Sequence, residues 1–400
     1  MTVIQTATAL RQGDAIGADI MRIHELLAEC GHKPYIAVCE CDPELSARFG
    51  TISVSAAERI AESDPESTLV IQHKASGDEL TGFFLRLRCK RLLIYHNITP
   101  ASYFLPYDLL MTWNLWRGRR QLKRLAGSGA WAWGDSAYNC RELADMGFDT
   151  ARVRVMPCLE YFDKAGAEGS ESTEPSGMNG RSAHESRGGG AKSSSSSVVD
   201  GTHGDASQES PVSAGAKILF VGRIAPNKKQ EDVIKAFCCY KTYVDKDATL
   251  TLIGSPDSCR QYYAKLLGFV AELGLGGVRF AGHVSAEELA ASYRTADLFL
   301  CMSEHEGFCV PLVEAMRADL PIIAYDAAAV GETLGEGGVL IRKKNWPEIC
   351  GEMERVLRDG EYRARIILKQ RGELRRFDGG TAEERFRELL REVTGREGEA

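Results

Sequence analysis

The chain has 400 residues, enough for two domains of ordinary size, and its 44% hydrophobic content is ample for two cores. Its 49 basic and 56 acidic residues give a net charge of −7, which argues against capture of nucleic acid by the protein surface as a whole. No stretch approaches the roughly 20 consecutive apolar residues of a membrane helix, and the first residues lack the charged start and apolar middle of a secretion signal. The expectation is a cytoplasmic protein. Its twelve cysteines are scattered without a C-x2-C pair, so free thiols are expected and no zinc framework.

Taken in chain order, VIQTAT reads as a strand, followed by the glycine-containing GDAIGAD and a helical IMRIHELLAECG. YIAVCE, TLVIQH and LLIYHN are short runs rich in apolar or β-branched residues and read as further strands. GSGAWAWGDSAYNCRELADMGF reads as strand, turn and helix, with Asp135 or Ser136 as the cap. VRVMP completes this half. From Gly166 to Ala216 almost no large apolar residue occurs, so the segment cannot offset its own ordering entropy. It reads as a Gly/Ser-rich disordered linker.

The second half repeats the rhythm. KILFVG, TLTLIG, VRFAGHV, DLFLCMS, PIIAYD and GGVLIR read as strands, with helices at about 231–245, from Tyr262 to Leu273, and over SAEELAASYRTA. Ser285 and Glu288 have capping-box spacing. Strands alternating with helices imply parallel sheets covered on both faces, so both halves read as Rossmann-like α/β domains. Ligands of such sheets bind outside the carboxyl ends of the strands, which makes the cleft between the halves the natural site. TAEERFRELLREVTG reads as a closing amphipathic helix.

Two motifs lie at strand ends of the second half. In VGRIAPNKK, Gly222 permits a tight exit, and Arg223 and Lys228 then sit where two cations suit a diphosphate. A solvated basic pair is the plain alternative. In EHEGFCVPLVEAM, the spacing of Glu306 and Glu314 would stack both acids on one helix, but Gly307 and Pro311 argue against that. The helix is expected to start near Pro311, with Glu314 in its first turn and Glu306 in the loop before it. The amides of Gly307, Phe308, Cys309 and Val310 would then form an anion site. Carboxylates are repelled by phosphate, so the two glutamates suit sugar hydroxyls; a cap and a surface acid are the bland alternatives. Asp245 and Asp247 form a D-x-D, a common metal signature, but VDKDATL reads as a turn.

EHEGFCVPLVEAM resembles the E-x7-E motif of retaining glycosyltransferases of family 4, which have the GT-B fold, and VGRIAPNKKQED resembles that family's diphosphate-binding segment. The resemblance runs from about Lys217 to Phe377. It implies that Glu306 contacts the donor sugar, that Glu314 contacts the nucleotide ribose, and that Arg223 and Lys228 neutralise the departing diphosphate, with no cofactor and no metal. The first half resembles the family more loosely, as an acceptor-binding half. There GDAIGAD is similar to the loop that approaches the donor through Gly13 and Gly17, and His96 matches a histidine that contacts the donor sugar. His73 is similarly placed with less support. The implied organisation is an acceptor-binding domain at 1–163, a linker at 164–216, a nucleotide-sugar-binding domain at 217–378 and a terminal helix at 379–400. The implied activity is metal-independent transfer of a hexose from a UDP- or GDP-sugar to a glycan or lipid-linked saccharide, with retention. A nucleotide-sugar epimerase on the same two-domain plan is the alternative.

One charge cluster stands outside this scheme. Arg86, Arg88, Lys90, Arg91, Arg117, Arg119, Arg120, Lys123 and Arg124 fall within 84–124, with Asp108 the only acid and Trp113 and Trp116 among them. The cluster suits an anionic acceptor or peripheral contact with an anionic membrane; a solvated helix face is the alternative.

Overall fold

The computed structural model describes residues 1–11, 14–159, 215–257 and 259–395. All but the last two residues of the expected linker lie outside them, as do Gly13 and residues 396–400.

The first half is a six-stranded sheet of β1 (Thr2–Leu10), β2 (Lys33–Cys41), β3 (Thr68–Lys74), β4 (Lys90–Tyr95), β5 (Trp131–Gly134) and β6 (Val153–Val155). Their order is β2-β1-β3-β4-β5-β6, and every pairing is parallel. Among the described residues six helices flank it: α1 (Ala15–Glu29), α2 (Pro43–Phe49), α3 (Val54–Ser63), α4 (Leu80–Arg86), α5 (Leu109–Ala126) and α6 (Ala137–Asp145). Every residue of β3 is buried, as a strand covered on both faces requires.

The second sheet comprises β7 (Lys217–Val221), β8 (Thr249–Ile253), β9 (Val278–Gly282), β10 (Leu298–Cys301), β11 (Ile322–Tyr325) and β12 (Val339–Ile341). It is also all parallel, in the order β12-β11-β10-β7-β8-β9. Its helices are α7 (Gln230–Tyr243), α8 (Arg260–Glu272), α9 (Ala286–Thr295), α10 (Val310–Arg317), α11 (Val330–Leu334), α12 (Trp346–Arg358) and α13 (Gly360–Leu374). Both Rossmann-like sheets are therefore present, each with a strand read from its own apolar run.

Local signals act as the sequence implies. Ser136 caps α6 by accepting from the Asn139 amide, which leaves Asp135 available for other contacts. Both halves of the Ser285–Glu288 capping box form. The D-x-D is a turn, in which Asp245 accepts from the amides of Ala216 and Asp247 at 2.8 and 3.0 Å.

The last helix, α14 (Gly379–Thr394), does not stay with the second sheet. Its Phe386, Leu389, Leu390 and Val393 pack with Leu69, Ile71, Leu92, Ile94 and Trp133 of the first sheet. Lys90 donates to the Thr394 carbonyl, and Arg22 of α1 pairs with Glu383. No helix among the described residues is long and apolar enough to cross a membrane.

Candidate active site

Strand order locates the site. In each sheet one pair of neighbouring strands sends its outgoing connections in opposite directions, and a crevice opens at their carboxyl ends. In the first sheet that pair is β1 and β3; in the second it is β7 and β10. The two crevices face one another across a cavity of about 510 Å³. Asp14–Ile16 after β1 and Ala75–Ser76 after β3 line one wall, and Arg223, Asn227, Lys228 and His305–Pro311 line the other.

The second-sheet wall is built by two loops stitched together. Gly222 leaves β7 at φ 154°, where a Cβ would meet the Phe220 ring at 3.2 Å. The Asn227 side-chain amide Nδ2 donates to the His305 carbonyl at 2.9 Å, and the Glu304 backbone amide donates to the Asn227 backbone carbonyl at 2.9 Å. This frame sets Lys228 Nζ 2.6 Å from each oxygen of Glu306. Burial opposes the charge on Lys228, but the Glu306 carboxylate more than offsets it, and the amine's pKa is raised. The Arg223 guanidinium is exposed and makes no hydrogen bond or ion pair among the described residues.

Cys309, at a left-handed φ of 71°, turns the chain into α10. The first turn therefore runs from Val310 and holds no acid. Glu314, expected there, lies one position past that turn, outside the cavity lining, and accepts from the Tyr293 hydroxyl at 2.7 Å. The displacement follows from the cap: the left-handed Cys309, two residues before Pro311, starts the helix at Val310, one position early. Gly307 sits where a Cβ would approach that of Asn97, in the other half, to 2.7 Å. Asn97 is itself left-handed, at φ 71°. Gly307→Ala is expected to destabilise the closed arrangement by about 1–3 kcal/mol through overpacking. Small-angle scattering should show a more open molecule; an unchanged scattering profile would contradict that.

On the first-sheet wall, a buried relay reaches the cavity. Gln5 donates to the Ile20 carbonyl, so its own carbonyl oxygen faces His73 Nε2 at 3.0 Å. His73 Nδ1 lies 2.9 Å from His96 Nε2, and His96 Nδ1 lies 3.3 Å from Asp135. Burial and then the charge on His96 push the His73 pKa well down. For His96 burial again opposes the charge, but Asp135 and then Asp19 outweigh it and the pKa rises. Of the two rings His96 is therefore the one that takes a proton more readily, and both of its ring nitrogens are committed within the protein. His96 lines the cavity as expected; a hydrogen bond from its ring to a donor sugar would have to displace one of these partners.

Asp19 completes this cluster. Burial raises its pKa from 3.8 to about 6, against the pull of His96 and the Leu159 amide at 2.7 Å. A raised folded-state pKa favours the protonated form. Its stabilising contribution is thus complete below 3.8 and is lost as pH rises through about 6. Asp19→Asn is expected to flatten that part of the stability profile, read from urea midpoints across this window. An unchanged slope would refute the assignment. Asp19, His73 and His96 are also the one trio among the described residues whose ligand atoms lie close enough for a shared metal ion. Here the two imidazoles are bonded directly to each other.

Gly17 is placed differently from expectation. It belongs to α1, donates to the Asp14 side chain, and a Cβ there would meet the Arg11 carbonyl at 2.7 Å rather than the cavity. Asp14, the cap of α1, lines the cavity instead. Asn227, His305 and Asp135 are cavity residues that the motifs did not single out. Asn227 lies inside the GR-x4-K stretch, and its neighbouring turn was the available signal. Burial, followed by the charges on Arg119 and Lys228, pushes the His305 pKa down to about 4. His305 is therefore neutral, with Nε2 3.3 Å from the Tyr138 hydroxyl. Glu332 of α11 closes the same seam by accepting from the Ala137 and Tyr138 amides at the start of α6.

Residues 206–372 match the family model described as Glycosyl transferases group 1. The chain carries a glycosyl transferases group 1 domain. O-antigen chain mannosyltransferase B of Escherichia coli is 25% identical over 147 residues, 36% of this chain and 38% of that protein. Phosphatidyl-myo-inositol mannosyltransferase of Mycobacterium leprae is 29% identical over 168 residues, 41% of this chain and 43% of that protein. The matches thus span less than half the length of these relatives. The similarity of fold extends further. The structure of Anabaena HepE in complex with UDP-glucose superposes with a TM-score of 0.66 at 16% identity, covering 98% of this chain and 99% of that one. WaaG, a glycosyltransferase involved in lipopolysaccharide biosynthesis, gives a TM-score of 0.63 at 13% identity, covering 96% and 98%. The architecture is that of GT-B glycosyltransferases: the group 1 domain supplies the Arg223–Lys228–Glu306 wall, and the first sheet supplies the other.

Proposed function

We propose that this chain transfers a hexose from a UDP- or GDP-sugar to a glycan or lipid-linked saccharide, with retention at the anomeric carbon and without a metal. The observation that carries the reading is the single cavity at which both strand-reversal crevices meet, walled by Lys228, Arg223 and Glu306 on the group 1 side. The UDP-glucose bound to Anabaena HepE and the mannosyl transfer named for two relatives support a nucleotide-sugar donor.

In this reading the anomeric carbon–oxygen bond breaks with its electron pair passing to the leaving phosphate oxygen. Lys228, largely buried and charged, stands where that charge develops, and exposed Arg223 is free to fork onto the diphosphate. The acceptor hydroxyl attacks from the same face, and its proton passes to the leaving phosphate oxygen. Glu306 holds a sugar hydroxyl and orients Lys228; it is not required as a nucleophile. Glu314 reaches the ribose by giving up its Tyr293 partner. His96, when protonated, contributes positive charge to the sugar end of the cavity.

Thermal shifts with UDP, GDP, ADP and their sugars test donor class, because a ligand bound only by the folded chain raises its stability. Stabilisation by none of them would reject the reading, and interconversion of the donor without acceptor would point to epimerisation. Dialysis against a chelator should leave the rate unchanged. Arg223→Ala is expected to lower turnover at least about tenfold, by loss of one charge-assisted contact to the leaving group. A wild-type rate would remove Arg223 from the mechanism.

A further inference from the structure

The outward face of α5 is not explained by the cavity. Leu109 is 73% exposed, Leu110 79% and Trp113 57%, with Trp116 and, just before the helix, Leu105 also exposed. These residues occupy the first half of the helix. At 100° per residue Leu109, Trp113, Trp116 and Arg120 form one stripe, and Lys123 and Arg124 continue it through the second half. The nine cations of the 84–124 cluster do not act together. Arg86, Arg117 and Arg119 pair with Glu58, Glu79 and Glu142, while Lys90 and Arg91 bond backbone carbonyls. Arg88, Arg120, Lys123 and Arg124 have no acidic partner among the described residues, and the last three lie on α5. The Arg120 guanidinium lies over the Trp116 ring at 4.8 Å, and Trp116 stacks on Trp113 at 4.8 Å.

We propose that this face of α5 docks on an anionic lipid bilayer and that the acceptor is a saccharide carried by a lipid in that surface. Large apolar side chains exposed next to one another on one helix mark an interaction site. Indole rings flanked by leucines suit the boundary between headgroups and acyl chains, and adjacent unpaired cations suit anionic headgroups. A second copy of the chain does not satisfy both ends. Paired in parallel it sets Arg120, Lys123 and Arg124 against like charges, and paired antiparallel it sets them against bare leucine and tryptophan. An anionic bilayer receives the two halves at once.

The opposite side of the same helix supplies the argument for the acceptor. Met111, Asn114 and Leu115 line the cavity, together with Phe104 from the preceding turn. One helix, about 10–12 Å across with its side chains, therefore separates the proposed membrane surface from the acceptor side of the cavity. A headgroup sugar standing at the surface beside α5 has a short path to the donor. This part rests on the transfer reading; docking does not.

The test uses the full chain with vesicles of phosphatidylcholine alone and of phosphatidylcholine mixed with phosphatidylglycerol. Co-sedimentation is expected with the mixed vesicles only, and is expected to weaken as salt rises. Leu110→Asp with Trp113→Asp, and separately Lys123→Glu with Arg124→Glu, should each lower vesicle affinity by about tenfold or more. None of these four residues lines the cavity, so the thermal shift given by UDP or GDP should persist and shows that each variant is folded. Absence of binding to mixed vesicles at low salt overturns the proposal, as does equal binding by the charge-reversed variant. A concentration-dependent dimer in sedimentation, abolished by the aspartate pair while vesicles are ignored, assigns the face to a second copy instead. Vesicle binding without nucleotide-induced stabilisation would keep the docking surface and reject the transfer reading.

Discussion

Lys228→Ala is expected to slow sugar transfer by about 30- to 1,000-fold, the equivalent of about 2–4 kcal/mol at a leaving group. The size follows from burial. Lys228 is 16% exposed at its side chain, so its charge acts through a medium that screens it far less than water does. Its raised pKa means that its contribution to stability is complete below 10.5 and is lost only as pH rises through the raised value. The amine is therefore charged throughout the neutral range, and the rate should show no ionisation from this group there. The same substitution leaves the Glu306 carboxylate buried without its ammonium, a loss on the order of 3–5 kcal/mol in folding stability. Adding Glu306→Gln should restore much of the stability and none of the rate. If the double variant recovers turnover, or if the single variant transfers sugar at the normal rate, Lys228 has no part in leaving-group stabilisation.

The second large effect lies far from the cavity. Phe386→Ala is expected to destabilise the protein by about 3–5 kcal/mol, the usual loss for a buried aromatic side chain. Phe386 is fully buried and meets the Trp133 ring edge-on at 5.9 Å. Around it Leu389, Leu390 and Val393 cover Ile71, Leu92 and Ile94, so its removal opens a cavity between helix and sheet rather than a surface dent. The urea midpoint should fall with little change in slope, because the surface exposed on unfolding is nearly the same. A midpoint within a few tenths of a kcal/mol of wild type would mean that α14 contributes little to covering the first sheet.

These two residues mark how far the sequence could be read. Lys228 was legible because its motif sits at the end of an apolar run, and the strand order that follows from alternating strands and helices brings that end to the cleft. The twelve strands were legible for the same reason: buried parallel strands are short continuous apolar runs. Glu314 was read one position too early because the left-handed cap at Cys309 has no compositional mark, cysteine being an unusual residue there. Gly17 looked like a glycine of a ligand loop, whereas its missing Cβ serves the Arg11 backbone; a glycine's type does not say which neighbour needs the space. The nine cations of the 84–124 cluster looked equivalent in sequence, and only their tertiary partners separate Arg119, turned inward to Glu142, from Lys123, turned out. Phe386 was legible as part of an amphipathic helix. Its period gives the buried stripe and carries no information about which sheet receives it.

The route of α14 bears on how such chains can be recombined. A cut near residue 216 divides the sequence between its two sheets, yet it does not divide the folded units. The piece from 215 to 395 would carry away the cover of β3, β4 and β5, and the piece from 1 to 159 would present Leu69, Ile71, Leu92 and Trp133 bare to water. A hybrid that exchanges donor specificity should keep residues 379–395 with their own first half and take the replacement only between the linker and Asp378. Built that way, the graft crosses the seam twice and keeps the cover of the first sheet with that sheet.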